Sequence, residues 1–294
     1  MAATPTPGPS LTFTRAAPGA VPPGSGVASL VDYRTERDVP RVHRGLPSPW
    51  LTFIVSLGEP VRTAETRDLL GTPATTTLDV LVGRLHTRPA YVDQPAAQSG
   101  IQVAVHPLAA RRLFGVPAAA LTSLTEDGEA VLGAVARRWR ERLGAEPDPR
   151  RRLDLLAGWL GEHRAASPAA SRVRPEIVEA WRLLTASGGR LSTTALAYRV
   201  HLSTRQLTTL FGREVGCSPA VAGRLVRFDR ATRIIRDGAV AGTVDLAAAA
   251  VTAGYADHSH LDREFSRFAG CSPTTWLREE FRNVQAGGHR NGVD

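Results

Sequence analysis

The sequence predicts an α+β protein, with a small β-rich N-terminal domain and following helices, and then an all-α C-terminal domain. Two observations predict this division. Before Pro107, aromatic and β-branched runs at residues 50–57, 76–83 and 101–105 alternate with Pro and Gly, which is typical of a small antiparallel sheet or barrel. After Pro107, apolar residues recur at helical spacing, and from Pro175 onward nearly all of the chain follows that pattern.

Composition sets the expected boundaries. Residues 1–27 are rich in Pro, Gly, Ala, Ser and Thr, and they are expected to form a disordered leader. The β-rich domain with its helices is placed at 28–168, and the all-α domain at 174–285. A Ser/Pro/Ala linker lies at 167–171, and a disordered tail is expected at 286–294.

The charge of the chain permits a polyanionic partner. Its formal net charge is +8, and all 36 of its Lys and Arg residues are arginine. Arginine forms forked contacts with phosphate groups and guanine edges better than lysine does. No apolar run reaches the roughly 18 residues of a membrane helix, and no signal peptide is evident. We therefore expect a cytoplasmic protein with no membrane partner.

The decisive feature is an internal repeat in the last third of the chain. The string GCSP at residues 216–219 recurs at 270–273, an offset of 54 (270 − 216). Three further identities share that offset: Leu207 with Leu261, Phe211 with Phe265, and Arg213 with Arg267. Upstream, Ala197 matches Ala250 at an offset of 53, so the turn of the second copy has one extra residue.

Each copy carries the local signals of a helix-turn-helix unit. Ser203, followed three residues later by Gln206, predicts a capping box at the start of a helix, and Asp257 predicts a cap at the equivalent place. Gly254 permits a tight turn before the second of these helices, and His201 occupies the corresponding place in the first unit. The sequence therefore predicts tandem units at about 191–216 and 244–270.

A long helix is predicted to connect the two units. Serine followed by proline, at 218–219 and again at 272–273, is typical of a helix start. The helix after Pro219 has one apolar face that would bridge both units, formed by Val221, Leu225, Phe228, Ala231 and Ile235.

Residues 191–281 resemble the DNA-binding domain of the AraC/XylS family. The resemblance rests on GYADHSHL at 254–261, and then on Arg263, Phe265, Gly270, Ser272 and Pro273. The run RFDRA at 227–231, with Ile234 and Ile235, resembles the linker helix of that family. Residues 31–186 resemble, more distantly, the sensor half of actinobacterial members, through HRGLPS at 43–48 and LHTRP at 85–89.

The resemblance implies a cytoplasmic, sequence-specific regulator of transcription that binds promoter DNA and is not an enzyme. Base contacts are then expected from Arg205, Thr208 and Thr209 in the first unit, and from His258, Ser259, His260, Asp262 and Arg263 in the second. Arg205 and Arg263 suit guanine, whereas Arg213 and Arg267, at the far ends of these helices, are expected to contact phosphate. Two positions depart from the family. Thr209 stands where arginine is frequent, and Leu261 where phenylalanine is frequent.

The N-terminal domain is expected to sense a small molecule or to dimerise. Arg44, His86 and Arg88 are the candidate effector-binding residues, as part of loops that would suit an anion. His43, His86 and His106 lie in or beside predicted strands, but no tight ligand spacing favours a metal, so we expect structural histidines and no cofactor. The two cysteines, Cys217 and Cys271, are expected to pack as small apolar groups, with a redox switch as the alternative.

Two other functions remain open at this point. The N-terminal domain could be an enzyme targeted by a DNA-binding module, although no catalytic motif is present. Alternatively, the chain could bind DNA without any effector. Candidate partners are therefore double-stranded DNA, a small-molecule effector, RNA polymerase and a second copy of the chain.

Overall fold

The computed structural model describes residues 10–17, 19–37, 39–163 and 173–285. In this part of the chain the strands are β1 (Ser10–Arg15), β2 (Val27–Glu36), β3 (Arg41–Gly45), β4 (Leu51–Ser56), β5 (Val61–Ala64), β6 (Thr76–Leu78), β7 (Val80–Gly83), β8 (Ala90–Gln94), β9 (Ala97–Val105) and β10 (Thr125–Asp127). The helices are α1 (Ala110–Phe114), α2 (Gly128–Leu132), α3 (Ala134–Ala145), α4 (Pro149–Glu162), α5 (Pro175–Ala186), α6 (Thr193–Arg199), α7 (Thr204–Val215), α8 (Pro219–Val240), α9 (Leu246–Ala253), α10 (His258–Ala269) and α11 (Pro273–Gln285).

The predicted α+β architecture is confirmed. The strands form a six-stranded sheet in the order β1-β2-β9-β4-β7-β10 and a four-stranded sheet in the order β3-β8-β5-β6. Every strand pair is antiparallel. No helix among the described residues is long and apolar enough to cross a membrane.

The two faces of the larger sheet have different partners. On β9, Ile101, Val103 and Val105 are fully buried in a hydrophobic core shared with α1, α3 and α4. The alternate residues Gln98 and Gln102 line a cavity between the two sheets instead. Because neighbouring residues on a strand point to opposite faces, β9 separates an apolar helix-facing core from a polar cavity.

The run at 76–83, expected as one strand, divides between the two sheets. Thr76–Leu78 pairs with β5 in the smaller sheet, and Val80–Gly83 pairs with β4 and β10 in the larger one. The chain changes sheets at Asp79, whose carboxylate lies 2.9 Å from the guanidinium of Arg140. The break reflects pairing with distant strands of two different sheets, so strand propensity alone does not reveal it.

The expected leader differs from the structure in its second half. Ser10–Arg15 forms the edge strand β1, paired with β2 from Ser10 opposite Glu36 to Arg15 opposite Val31. The prolines that suggested disorder flank this segment, while Leu11 and Phe13 supply the alternating apolar residues of a strand. Residues 1–9, the linker at 167–171 and the tail at 286–294 lie outside the described residues.

One hydrophobic core runs from the β-rich domain into the first helical unit. It joins the sheet and α1 to α5, α6 and α7 without a gap. Trp181 of α5 lies between the two parts: its ring centroid is 5.2 Å from that of His106 and 5.9 Å from that of Phe211. The domain boundary at 168–174 remains a prediction, and this packing means that the first unit has a covered face.

We expect Trp181→Ala to lower the free energy of unfolding by about 3–5 kcal/mol, because it removes a buried ring that joins both parts of the core. Urea denaturation of the full chain checks this. The matched control is Tyr198→Ala on the neighbouring helix, since that ring is 83% exposed and should change stability little. A loss for Trp181→Ala no larger than that of the control would contradict the shared core.

Candidate nucleic-acid interface

The first helix-turn-helix unit consists of α6 and α7. Ser203 caps α7 with the predicted capping box: its hydroxyl accepts from the backbone N–H of Gln206 at 3.2 Å, and Gln206 Oε1 accepts from the N–H of Ser203 at 3.0 Å. In the turn, His201 has a φ of 55°, in the left-handed region expected from its position. The capping box and the turn residue thus specify the same helix start.

The second unit, α9 and α10, repeats this construction. Asp257 caps α10 through a carboxylate oxygen that accepts from the N–H of His260 at 2.7 Å. Gly254, in the turn, has a φ of 95°, which explains why glycine is suited to that place. Both α7 and α10 end on glycines in the left-handed conformation, Gly216 and Gly270.

Helix α7 presents one polar face to solvent. Leu207 and Phe211 are fully buried, whereas Arg205, Thr208, Thr209 and Arg213 are exposed. The hydroxyl of Thr208 donates to the carbonyl oxygen of Thr204 at 2.8 Å. Its methyl group is therefore the part of that side chain best suited to an apolar contact.

Helix α10 has the same division of faces. Leu261 and Phe265 are buried, and the exposed residues are His258, Ser259, Arg263, Ser266 and Arg267. The imidazole Nε2 of His258 lies 3.4 Å from a carboxylate oxygen of Asp262, one helical turn away. His260 is half-buried, and its ring packs edge-on against Tyr255 at 5.2 Å, so it contributes to the turn.

Helix α8 joins the two units. Ala222 belongs to the core of the first unit, whereas Leu225, Phe228, Ala231 and Ile235 belong to that of the second. The predicted apolar face is present and four of its five residues are buried, but it packs with the second unit alone. The prediction that this face bridges both units is therefore wrong, because Ala222 makes the contact with the first core. Val221 is half-buried against the second core. The helix has 22 residues and is about 33 Å long at 1.5 Å per residue.

A buried ion pair, which sequence reasoning missed, fixes α10 to α8. The guanidinium of Arg224 binds both carboxylate oxygens of Glu264, with nitrogen–oxygen distances of 2.6 to 3.1 Å. Arg224 also lies over the ring of Phe268, 4.9 Å from its centroid. Glu264 follows Arg263 directly, so this contact sets the rotation of α10 about its own axis.

Two arginines of the β-rich domain hold the DNA-binding helices. Arg111 of α1 forms a two-pronged contact with Glu214 of α7, at 2.7 and 3.0 Å. Arg44 of β3 donates to the carbonyl oxygen of Ala269 at the end of α10, and lies 3.3 Å from the carboxylate of Glu279. Each unit is thus clamped to the N-terminal domain by one arginine.

A cavity of about 180 Å³ lies where the two sheets meet α8. Asp229, Thr232 and Arg236 of α8 line it, together with residues of both sheets. Of the three expected effector residues, Arg44 and His86 are part of the lining, whereas Arg88 is exposed and outside it. The DNA-binding and N-terminal parts therefore share the wall of one cavity.

The histidines and cysteines are built into the fold. Burial lowers the pKa of His106 to about 4, and its Nδ1 accepts from the N–H of Leu108. Burial also lowers the pKa of His86. Among the residues that the structure describes, no cluster of His, Cys, Asp and Glu side chains suits a metal ion.

Burial raises the pKa of the Cys217 thiol to about 12 and also raises the pKa of the Cys271 thiol. Both shifts favour packing over reactivity.

A comparison with protein families identifies the two-unit region. Residues 196–279 match the family model described as a helix-turn-helix domain. No curated protein matches the chain. The match and the two capped units define a DNA-binding protein. The C-terminal part of the chain therefore contains a helix-turn-helix domain.

Solved structures resemble the chain to different degrees. A point variant of apo ToxT from Vibrio cholerae strain SCE256 is 9% identical, with a TM-score of 0.50, over 85% of this chain and 97% of that one. ToxT from Vibrio cholerae O395 bound to (E)-4-(8-methylnaphthalen-1-yl)but-3-enoic acid is 10% identical, with a TM-score of 0.48, over 90% and 98%. The AraC-like transcriptional activator CuxR is 13% identical, with a TM-score of 0.31, over 80% and 97%. The first of these supports the order of a β-sheet domain followed by a helical one.

We expect Glu264→Gln to destabilise the full chain by about 3–5 kcal/mol, because the half-buried guanidinium of Arg224 loses the carboxylate that pairs with it. Chemical denaturation measures the loss. Glu179→Gln is the matched control, since Glu179 pairs with Arg182 on the surface and solvent screens that pair. Equal effects of the two substitutions would show that the Arg224–Glu264 pair does not anchor α10.

Proposed function

We propose that α7 and α10 enter successive major grooves on one side of promoter DNA and read its sequence. The observation that carries this proposal is the pair of equivalent polar faces, each on a short capped helix, attached to one continuous helix. Because α8 packs against both cores, it holds the two faces at one separation, as reading of two half-sites one helical turn (34–36 Å) apart requires. The assignment to the AraC family as a regulator of transcription that is not an enzyme, and to its actinobacterial type, rests on sequence resemblance and is part of this proposal.

Footprinting of the full chain on its operator tests the proposal. We expect two protected half-sites with centres about 10 base pairs apart on one face of the DNA, because two reading helices come from one chain. A scrambled DNA of the same length is the control. Protection of a single site of about 5 base pairs would mean that only one unit reads DNA.

The residues proposed for base contacts are Arg205, Thr208 and Thr209 on α7, and His258, Ser259, His260, Asp262 and Arg263 on α10. Arg263 is suited to guanine O6 and N7, and the Thr208 methyl group is suited to a thymine methyl. Arg213 and Arg267, one to two turns further along, are proposed to contact phosphate. The half-burial of His260 makes it the weakest member of this set.

We expect Arg263→Ala to lose about 1–3 kcal/mol of binding on the operator and to relax the preference at one base position. Arg267→Ala should instead weaken binding to operator and scrambled DNA alike, and lower the salt slope by about one unit. A salt titration of both variants on both DNAs separates these roles. If both variants lose affinity equally on both DNAs, Arg263 is a second phosphate contact.

We further propose that a small-molecule effector, bound in the cavity between the sheets and α8, controls DNA binding. Arg44 supports this, because it lines the cavity and also contacts Ala269 and Glu279 of the second unit. The regulator is proposed to act in the cytoplasm, with RNA polymerase and a second copy of the chain as further partners. No enzymatic step is part of this proposal.

A further inference from the structure

One wall of the cavity carries buried polar side chains, which a purely hydrophobic ligand would leave without hydrogen bonds. Gln94 of β8 and Gln98 of β9 line it with only 6% and 7% of their surfaces exposed, and Gln102 follows on the same face of β9. Each glutamine amide has an acceptor oxygen and two donor hydrogens. Facing the cavity, these amides form a hydrogen-bonding surface inside the domain.

These amides have no protein partner in the described part of the chain. The nearby hydroxyls are engaged: Thr35 donates to the backbone carbonyl of Gln98, and Thr63 is paired with Thr125. The side-chain amides of Gln94 and Gln98 form no hydrogen bond with any residue that the structure describes. Buried polar groups in native proteins nearly always have partners, so these amides indicate an occupant that hydrogen-bonds.

The charge of the cavity indicates an anion. Three arginines line it, and two are engaged: Arg44 contacts Glu279, and Arg236 lies beside Asp229. Arg84, which directly follows β7, is half-buried, and within the described residues no acidic group pairs with it. Its Nε atom is buried without a hydrogen-bond partner. A guanidinium in this state favours a carboxylate or phosphate group.

The size of the cavity limits the ligand. An apolar cavity of about 150 Å³ accepts a benzene molecule, and this one has about 180 Å³. A single six-membered ring with small substituents therefore fits, whereas a long acyl chain does not. Ile54, Leu81 and Val92 line the cavity and would contact the faces of such a ring.

We propose that the cavity binds a small hydroxylated anion of the size of one sugar ring, with Arg84 pairing its anionic group and Gln94 and Gln98 its hydroxyl groups. The ligand would also contact α8, because Asp229, Thr232 and Arg236 complete the lining. This inference rests on the proposed control of DNA binding by an effector, and it names the chemical class of that effector.

Isothermal titration calorimetry of the full chain with four matched probes tests this ligand class. Glucuronate has the ring, the hydroxyls and a carboxylate; glucose lacks the charge; cyclohexanecarboxylate lacks the hydroxyls; glucose 6-phosphate replaces carboxylate with phosphate. We expect glucuronate or glucose 6-phosphate to bind at least tenfold more tightly than the other two, and the better of them identifies the anion. Equal binding of glucose or cyclohexanecarboxylate, or no binding by any probe, would overturn the proposal.

Two substitutions assign the contacts. Arg84→Gln should weaken binding of the preferred anion about 10- to 100-fold, because it removes a charge-assisted pair, and should leave glucose unchanged. Gln98→Leu should weaken both ligands by a similar few-fold factor. Arg67→Gln, at an exposed site outside the cavity lining, is the control. Circular dichroism verifies that each variant is folded, and an unchanged affinity in folded Arg84→Gln would contradict the assigned role.

Operator binding, measured separately in the presence and absence of the anion, distinguishes the two proposals. If the anion binds but operator affinity does not change, the ligand class holds and effector control fails. If operator binding is intact but no probe binds, the ligand class fails while the DNA-binding function holds.

Discussion

The packing of α8 against two separate cores is the constraint on which the arrangement of the DNA-binding helices depends. Ala222 packs with the first unit, and Phe228 packs with the second, where its ring is 5.0 Å from those of both Phe265 and Phe268. The Arg224–Glu264 pair then fixes the rotation of α10. Since a continuous helix bends little over its length, the separation of the two polar faces follows from the side chains that α8 buries.

The same helix connects DNA binding to the N-terminal domain. Asp229, Thr232 and Arg236, beside the apolar face that α8 buries, supply part of the cavity wall, and the two units are held by Arg111 and Arg44. A ligand that contacts α8 and changes the position of Arg44 would therefore change how the two units, joined by α8, contact the N-terminal domain.

Local features were predictable from sequence, and long-range ones were not. The caps at Ser203 and Asp257 and the turn at Gly254 depend on neighbours within a few residues, so the repeat was enough to place them. The division of the 76–83 run and the role of Arg44 depend on partners far along the chain. Arg84 and the three glutamines carry no motif, and only their convergence on one cavity identifies them.

The separation between the two units can be measured directly in the full chain. Spin labels at Tyr198→Cys and Val251→Cys, with Cys217→Ser and Cys271→Ser to remove the native thiols, mark equivalent exposed positions of α6 and α9, the partner helices of α7 and α10, outside the proposed DNA contacts. Double electron–electron resonance should give one narrow distance distribution, with the same mean in the free protein and on operator DNA. A broad or multiple distribution in the free protein would contradict a fixed separation set by α8.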